Sequence, residues 1–327
     1  MKPLPRTVRV ALLTLLTSVG ACARVDLYPV TRGTSAGNGA GDSVASAGGG
    51  GNGGEGGDAG RPISCPDPGI DPGDSNQTVL VGGSTRSYVL HVPALYNATK
   101  PAPLVVDFHG IGGTGKSERS TSPYPPALDA EGVIMAFPDG LKGPAGTAWN
   151  VGPCCVADVD DVAFARALVS QVRSLACIET KRVYAVGVLT GGGMANYVAC
   201  RAGDVFAAVA PAAFDLLAEN ADDCLPPRPV TVISFRGTAD SRVPYDGGPS
   251  SLVAGMPLTF LGAQSSYEKW AAINGCVGAA SAPDGNGCSA FSGCAGGAEV
   301  ILCTRQAGGD EPGKPSISWP VLARHTL

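Results

Sequence analysis

Apolar residues along the chain fall into short runs that alternate with segments of helical periodicity. Residues 85–93 alternate between polar and apolar, which predicts an antiparallel strand at the edge of a sheet. Continuous apolar runs rich in β-branched residues are typical of strands that are buried on both faces. Such runs occur at 103–109, 132–138, 183–186, 206–211, 230–235 and 299–304.

Helical patterns lie between these runs. Asp160 and Asp161 stand before one helix at 162–175, and further helices begin at Thr190 and surround Trp270 and Trp319. Strands that alternate with helices predict an α/β fold, with a mostly parallel sheet covered by helices on both faces, in a single domain.

The start of the 327-residue chain has the features of an export signal. Basic residues in 1–9 precede an apolar stretch at 10–19 that is too short to span a membrane. The following Val19-Gly-Ala-Cys22 resembles a bacterial lipobox and predicts a lipid on Cys22, which would tether the protein to a membrane of the cell envelope. Ordinary cleavage after a small residue, with release of the protein, is the alternative.

A segment of low complexity follows this cysteine. Residues 33–61 are nearly all Gly, Ala, Ser, Asn and Asp and cannot bury enough apolar surface to offset the ordering of their backbone. We therefore predict a signal peptide at 1–21, a lipid-anchored flexible linker at 22–64 and an α/β domain at 65–327.

Charge and cysteine content narrow the possible partners. The net charge is −5 and no long run of basic residues indicates nucleic-acid binding. Ten of the 11 cysteines follow the linker, and an even number in an exported chain predicts disulfides. Only Cys154 and Cys155 are tightly spaced and no histidine is near them, so neither a zinc site nor a cofactor is predicted. The sequence does not determine which cysteines pair, although local disulfides are expected among the cysteines at 276–303.

The segment 182–200 combines a buried strand, a turn bounded by glycines and the start of a helix. Gly187 and Gly191 flank Leu189 with the spacing of the G-x-S-x-G nucleophile elbow, where strand and helix approach too closely for a Cβ. In that turn a serine presents its hydroxyl, and Leu189 has none. Thr190 is an alternative nucleophile if the register is shifted; otherwise it is a residue of the helix start.

Two further loops would complete such a site. The glycine-rich loop at 109–115 follows a buried strand, and its backbone N–H groups at His109, Gly110 and Ile111 are candidates for an oxyanion hole together with that of Thr190. Asp240 follows the strand at 230–235, at the edge where ligand-facing residues of parallel sheets collect.

Trp149 is a further candidate binding residue. Its loop lies between a buried strand and a helix, where an indole would either stack on a substrate ring or anchor the loop.

Taken in order, these segments resemble the secreted feruloyl esterase and polyhydroxybutyrate depolymerase family of α/β-hydrolases. The resemblance covers nearly all of residues 80–325, through the segments 85–93, 103–110, 137–140, 149–150, 160–162, 182–192 and 237–248. It implies the α/β-hydrolase fold and a family activity on carboxylic esters of hydroxycinnamates or polyesters. The family's serine falls on Leu189, its aspartate on Asp240 and its histidine on or beside Asp310, while the usual histidine before Gly237 is Arg236.

Three functional hypotheses follow. Loss of the serine and the histidine predicts a weakly active or non-catalytic homologue that binds an ester or a glycan. An active carboxylesterase rebuilt around Thr190, with a base that the sequence does not identify, is the second hypothesis. His325 lies 15 residues past the loop where the family's histidine is expected and is a poor substitute for it. The third is a cation held by Asp240, Asp310 and Glu311, for which Arg236 or Arg242 would substitute by forming an ion pair.

Overall fold

The computed structural model describes residues 64–253, 255–309 and 312–327. The predicted signal peptide, Cys22 and nearly all of the linker lie outside these residues, and so do Asp310 and Glu311. Within the described part, no helix is both long enough and apolar enough to cross a membrane.

The described residues form the following strands and helices in chain order. The first half contains β1 (Gly73–Val81), β2 (Ser84–Val92), β3 (Ala102–Phe108), α1 (Gly115–Thr121), α2 (Tyr124–Leu128), β4 (Ile134–Pro138), β5 (Leu141–Gly143), β6 (Gly146–Ala148) and α3 (Asp161–Leu175). The second half contains β7 (Ile178–Val188), α4 (Thr190–Arg201), β8 (Ala208–Ala212), β9 (Thr231–Gly237), β10 (Gly248–Ser250), β11 (Leu258–Phe260), α5 (Ala263–Ile273), β12 (Cys288–Phe291), β13 (Val300–Arg305) and α6 (Pro315–Leu322).

Nine strands form one sheet in the order β1-β2-β4-β3-β7-β8-β9-β13-β12. The six strands from β4 to β13 in this order are parallel, whereas β1, β2 and β12 pair antiparallel at the two sides. The pairs β5–β6 and β10–β11 are separate hairpins. The predicted mostly parallel α/β sheet is therefore confirmed.

Two strands of the sheet, β1 and β12, were not predicted from the sequence. The segment 85–93 was expected to be an edge strand, and β2 is indeed antiparallel, but β1 covers its outer side. The sequence GDSNQTVLV of β1 is polar in its first half and ends in an apolar run of only three residues. Similarly, β12 lies in the Gly-rich, Cys-rich segment and pairs with β13. Edge strands that bury little apolar surface leave a weak signal in the sequence.

Helices cover both faces of the sheet. On one face, α3, α4 and α5 contribute the buried side chains of Phe164, Met194 and Trp270 to the larger hydrophobic cluster. On the other face, α2 and α6 contribute Tyr124 and Leu322 to a second cluster. Each fully buried large apolar side chain stabilises the fold by about 1.5–3 kcal/mol. This two-sided packing fixes the sheet, and the loops after its parallel strands share one edge.

Ten cysteines form five disulfides, as the even count predicted. The pairs are Cys65–Cys177, Cys154–Cys155, Cys200–Cys224, Cys276–Cys294 and Cys288–Cys303. The last two confirm the local bridges expected in the Gly-rich segment. Of the 11 cysteines in the sequence, only Cys22 lies outside these pairs.

Candidate functional site

Leu189 occupies the tip of a sharp turn between β7 and α4. Its dihedral angles are φ 53° and ψ −125°, a region that residues with a Cβ rarely adopt. Its N–H donates to the carbonyl of Ala212 on β8 at 3.0 Å, and its carbonyl accepts the N–H of Gly193 at 2.9 Å. The backbone therefore has the geometry of a nucleophile elbow, while the side chain at the tip has no reactive group.

Glycines allow α4 to start close to the sheet. A Cβ on Gly191 would collide with the carbonyl oxygen of Phe108, and a Cβ on Gly192 with the carbonyl oxygen of Ala212. Because these neighbours are backbone atoms, they cannot move aside cheaply. The glycine after the elbow tip is thus required by the close approach that its spacing predicted.

The side chain of Leu189 lies against the glycine-rich loop. It is half-buried and packs on the larger hydrophobic cluster. A Cβ built on Gly110 would be 3.5 Å from both Cβ and Cδ1 of Leu189. The leucine therefore covers the backbone of Gly110, one of the predicted oxyanion-hole donors.

Thr190 is the first residue of α4 and is completely buried. Among the described residues, its hydroxyl has no hydrogen-bond partner. A nucleophilic hydroxyl needs a base within hydrogen-bonding distance, about 2.6–3.2 Å. The contacts of Thr190 are therefore those of a packed residue at a helix start.

His109 is held within the glycine-rich loop through both ring nitrogens. Nδ1 lies 2.7 Å from the carbonyl oxygen of Gly110, and Nε2 accepts the N–H of Gly140 at 2.9 Å. Nδ1 must therefore carry the proton, so the imidazole is neutral. Burial lowers the pKa of His109 below its ordinary value, which favours the same form. The ring shapes the loop and has no nitrogen left to act as a base.

Trp149 fixes the same loop from behind. Its indole N–H donates to the carbonyl of His109 at 2.9 Å, and its ring centroid lies 4.7 Å from the imidazole and 5.1 Å from Phe108. The side chain is fully buried. Since neither face of the indole is open to a ligand, these contacts are those of a loop anchor rather than of a stacking platform.

Asp240 lies in the loop after β9 and is buried. Its Oδ1 accepts the backbone N–H groups of Arg242 and Val243, each at 2.9 Å. Its Oδ2 lies 3.5 Å from Nη1 of Arg236 and has no hydrogen-bond partner among the described residues. One oxygen is thus fixed by backbone donors, and the other is available to a donor with better geometry.

Arg236 is completely buried between two aspartates. Its Nε is 3.2 Å from Oδ1 of Asp215 on the loop after β8, and its Nη2 donates to the carbonyl of Val243 at 2.7 Å. Burial raises the pKa of Asp215 to about 7, the charge of Asp240 adds to this rise, and Arg236 opposes it. The sequence analysis gave an ion pair with Arg236 as the alternative to a cation site at Asp240. It did not identify Asp215 as the second partner of Arg236.

The loop that leads to Asp310 lies beside Asp240. The N–H of Ala239 donates to the carbonyl of Gly308 at 2.7 Å, and the N–H of Ala307 donates to the hydroxyl of Thr238 at 2.8 Å. These bonds follow from the parallel pairing of β9 with β13. Asp310 itself lies outside the described residues, so its side chain has no assigned position.

The sequence contains three histidines, and all three are described. His91 lies between the carboxylates of Asp74, at 2.6 Å, and Asp129, at 2.8 Å. His325 was expected on the last helix but follows its end. Its carbonyl accepts the hydroxyl of Tyr184 at 3.0 Å.

His325 lies near the amino end of β7. The adjoining C-terminal residue, Leu327, donates its N–H to Lys181, close to the start of that strand. From Lys181 to the elbow at Leu189 the strand extends roughly 26 Å, at about 3.3 Å per residue. His325 is therefore at the opposite edge of the sheet from Leu189 and cannot serve it as a base.

The cation hypothesis gains no support from the described residues. No group of three or more His, Cys, Asp and Glu side chains among them could hold a metal ion. Asp310 and Glu311, two of its three proposed ligands, lie outside that part of the chain.

Sequence reasoning also overlooked the acid Asp107, at the end of β3. It is a charged residue within the apolar run at 103–109, and that contrast was the signal that could have revealed it. Asp107 and Glu118 of α1 line the same cavity, next to Gly187 and Val188.

Comparison with known proteins connects this geometry to esterases. No family model matches the chain. It is 42% identical over 245 residues to feruloyl esterase B of Piromyces equi, an alignment that covers 74% of this chain and 46% of that protein. It is 30% identical over 188 residues to feruloyl esterase C of Emericella nidulans, covering 54% of this chain and 64% of that protein. The chain thus spans about half to two thirds of the length of these relatives.

A solved structure shows the same architecture. The acetyl xylan esterase from Aspergillus awamori superimposes with a TM-score of 0.57 at 16% identity, over 76% of this chain and 99% of that chain. At this identity the similarity concerns the fold. This chain therefore has the α/β-hydrolase fold, and its sequence is similar to those of feruloyl esterases.

Proposed function

We propose that this chain is an exported, lipid-anchored homologue of the ester hydrolases that binds an ester or a glycan and turns it over weakly or not at all. The observation that carries the proposal is Leu189 at the tip of an intact elbow. Leucine has neither a lone pair nor a transferable proton, so covalent catalysis cannot begin there. The names of the relatives and the family resemblance favour hydroxycinnamate, sugar or polyester esters as ligands.

Loss of the base supports the same conclusion. Asp310 stands where the histidine of the family falls, and the three histidines of the sequence are engaged elsewhere or lie at the far edge of the sheet. An esterase scaffold without its triad keeps oxyanion-hole and binding effects of roughly 10³–10⁴-fold over water. This remaining rate enhancement is far below that of an active enzyme.

An active esterase that uses Thr190 is the competing function. Its buried hydroxyl, which has no acceptor among the described residues, argues against it. Substitution of Thr190 separates the two proposals, because an unused threonine can be lost without any effect on turnover.

The decisive experiment restores the missing groups. The Oδ2 of Asp240, which accepts no hydrogen bond from the described residues, and the adjacent loop that leads to residue 310 support a scaffold that can still orient an imidazole. We expect Leu189→Ser with Asp310→His to hydrolyse 4-nitrophenyl acetate at least about tenfold faster than either single variant, a gain of roughly 1.4 kcal/mol in barrier. Neither single change should suffice, because triad members act as a unit. Adding Asp240→Asn to the double variant should remove the gain.

Two results would contradict this proposal. A folded double variant no faster than the single variants would mean that the cleft no longer has the esterase geometry. Wild-type turnover at ordinary enzymic rates that Thr190→Ala abolishes would establish the competing function instead.

Export and anchoring form the second part of the proposal. Five disulfides support a location in an oxidising compartment. Pairing of the other ten cysteines leaves Cys22, the residue after the predicted cleavage site, free to carry a lipid. The Gly-rich linker would then hold the folded domain away from the membrane.

A further inference from the structure

Two carboxyl side chains face one cavity behind the elbow. The cavity has a volume of about 220 Å³ and lies between the end of β3, the helices α1 and α2, and the last residues of β7. Asp107 and Glu118 both line it, and Gly187 and Val188 form the wall that leads directly into Leu189.

Asp107 is buried, with only 2% of its surface exposed. Its Oδ2 accepts the hydroxyl of Ser122 at 2.6 Å, and the oxygen of that hydroxyl accepts the N–H of Tyr124 at 3.2 Å. These bonds tie the end of β3 to the chain just after α1. The carboxyl of Glu118 approaches the same cavity from within α1.

Among the described residues that line the cavity, none carries a positive charge that could compensate these acids. Among the described lining residues the titratable groups are Asp107 from β3, Glu118 from α1 and Tyr124 from α2, and the walls from β7 and from 312–313 add none. Arg119, the residue after Glu118, instead pairs with Asp74 at 3.0 Å. Two carboxylates that share a cavity without a compensating cation repel each other, so one of them keeps its proton to a higher pH.

The electrostatics agree with this geometry. Burial raises the pKa of Asp107 to about 7. Burial and the nearby charge of Asp107 raise the pKa of Glu118 to about 8. Near neutral pH the pair therefore keeps a proton that solvent-exposed carboxyls would have lost at about pH 4.

We propose that Asp107 and Glu118 form a pH-sensitive clasp on the glycine-rich loop. The loop at 109–114 joins β3, which carries Asp107, to α1, which carries Glu118. While the pair keeps its proton, α1 stays against the end of β3. When both acids ionise, their repulsion separates α1 from β3 and releases the loop between them, including Gly110 and Ile111. The clasp acts on the fold whether or not the chain hydrolyses esters.

The direction of the pH dependence follows from the raised pKa values. A carboxyl whose pKa is higher in the folded state than in the unfolded state stabilises the fold as long as it is protonated. That contribution is complete below about pH 4 and is lost as the pH rises to about 8. The melting temperature of the wild type should therefore fall between pH 5 and pH 9. In Glu118→Gln, which cannot ionise, the fall should be clearly shallower.

A matched control separates the clasp from general acid-to-amide effects. Glu131→Gln makes the same change at an exposed position and should follow the wild-type curve. Parallel curves for the wild type and Glu118→Gln would overturn the proposal. The melting temperature of Asp107→Asn should depend on pH in the same way as that of Glu118→Gln. If the substitution at the buried Asp107 prevents folding, the more exposed Glu118 still provides the test.

Hydrogen exchange locates the effect. We expect amides in 109–121 of the wild type to exchange at least about fivefold faster at pH 9 than at pH 6, after correction for intrinsic rates, while α3 stays protected. This local opening should be absent in Glu118→Gln. Equal opening of 109–121 in both proteins, or uniform opening of the whole domain, would contradict a clasp at this loop.

Discussion

At the scale of single residues, the turn at Leu189 has the backbone conformation of a nucleophile elbow, but its side chain has no reactive group. Leu189 adopts φ 53°, a conformation that costs a residue with a Cβ about 1–3 kcal/mol. Its side chain recovers part of that cost by packing on Gly110 and the hydrophobic core. A leucine side chain cannot act as a nucleophile, and its packing gives this side chain a structural role.

Substitution of Leu189 should show both contributions. Leu189→Ala and Leu189→Gly lose the same packing, but only glycine relieves the strain, so we expect the glycine variant to be more stable by about 1 kcal/mol. In most structured positions alanine is the more stable of the two by roughly 0.5–1 kcal/mol. Urea denaturation measures the free energy of unfolding of both variants. An alanine variant more stable than the glycine variant by about 0.5–1 kcal/mol, the ordinary difference, would show that no strain is stored.

At the scale of secondary structure, the elbow is held by the contact of α4 with the ends of β3 and β8. Glycines at the start of the helix bring its backbone against carbonyl groups of both strands. This packing holds the start of α4 against the end of the strand that leads into the glycine-rich loop, whatever residue stands at the elbow tip. The helix start is therefore required by the fold as well as by the candidate site.

A single methyl group should disrupt this contact. We expect Gly191→Ala to destabilise the protein by about 3 kcal/mol, because its Cβ would meet the carbonyl oxygen of Phe108. Gly285→Ala is the matched control: a Cβ there meets no heavy atom within 4 Å, and its effect should stay within about 0.5 kcal/mol. Equal melting temperatures for the two variants would show that α4 can move away from β3 at little cost.

At the scale of the whole molecule, the two edges of the sheet have different roles. The edge at the carboxyl ends of the parallel strands holds Leu189, Asp240, the glycine-rich loop and the carboxyl clasp. The opposite edge holds His325, and the salt bridge between Arg324 and Glu299 lies there too. The linker before this domain would place it at a distance from a membrane surface.

The proposed lipid anchor on Cys22 predicts which cell fraction contains the protein. Cys22→Ser should move the protein from the membrane fraction to the soluble fraction of the bacterial host, because the cysteine thiol is the acceptor of the lipid. Ala23→Ser, one residue away, keeps the thiol and should leave the protein in the membrane fraction. Recovery of the wild type entirely in the soluble fraction would rule out the anchor.

The sequence by itself determined the fold class and the position of an elbow with leucine at its tip. Buried strands leave continuous apolar runs, and the glycines around Leu189 keep a fixed spacing because strand and helix touch there. Both signals are local, so they can be read without the structure. The missing serine is equally local, since the identity of one residue in that turn excludes its chemistry.

Only the tertiary structure decided how the distant groups meet. It placed Arg236 between Asp215 and Asp240, brought Asp107 and Glu118 to one cavity, and put His325 at the far edge of the sheet. It also established which cysteines pair in disulfides and showed that β1 and β12 belong to the sheet. These outcomes depend on burial and on contacts between residues far apart in the chain, and neither local periodicity nor motif spacing contains that information.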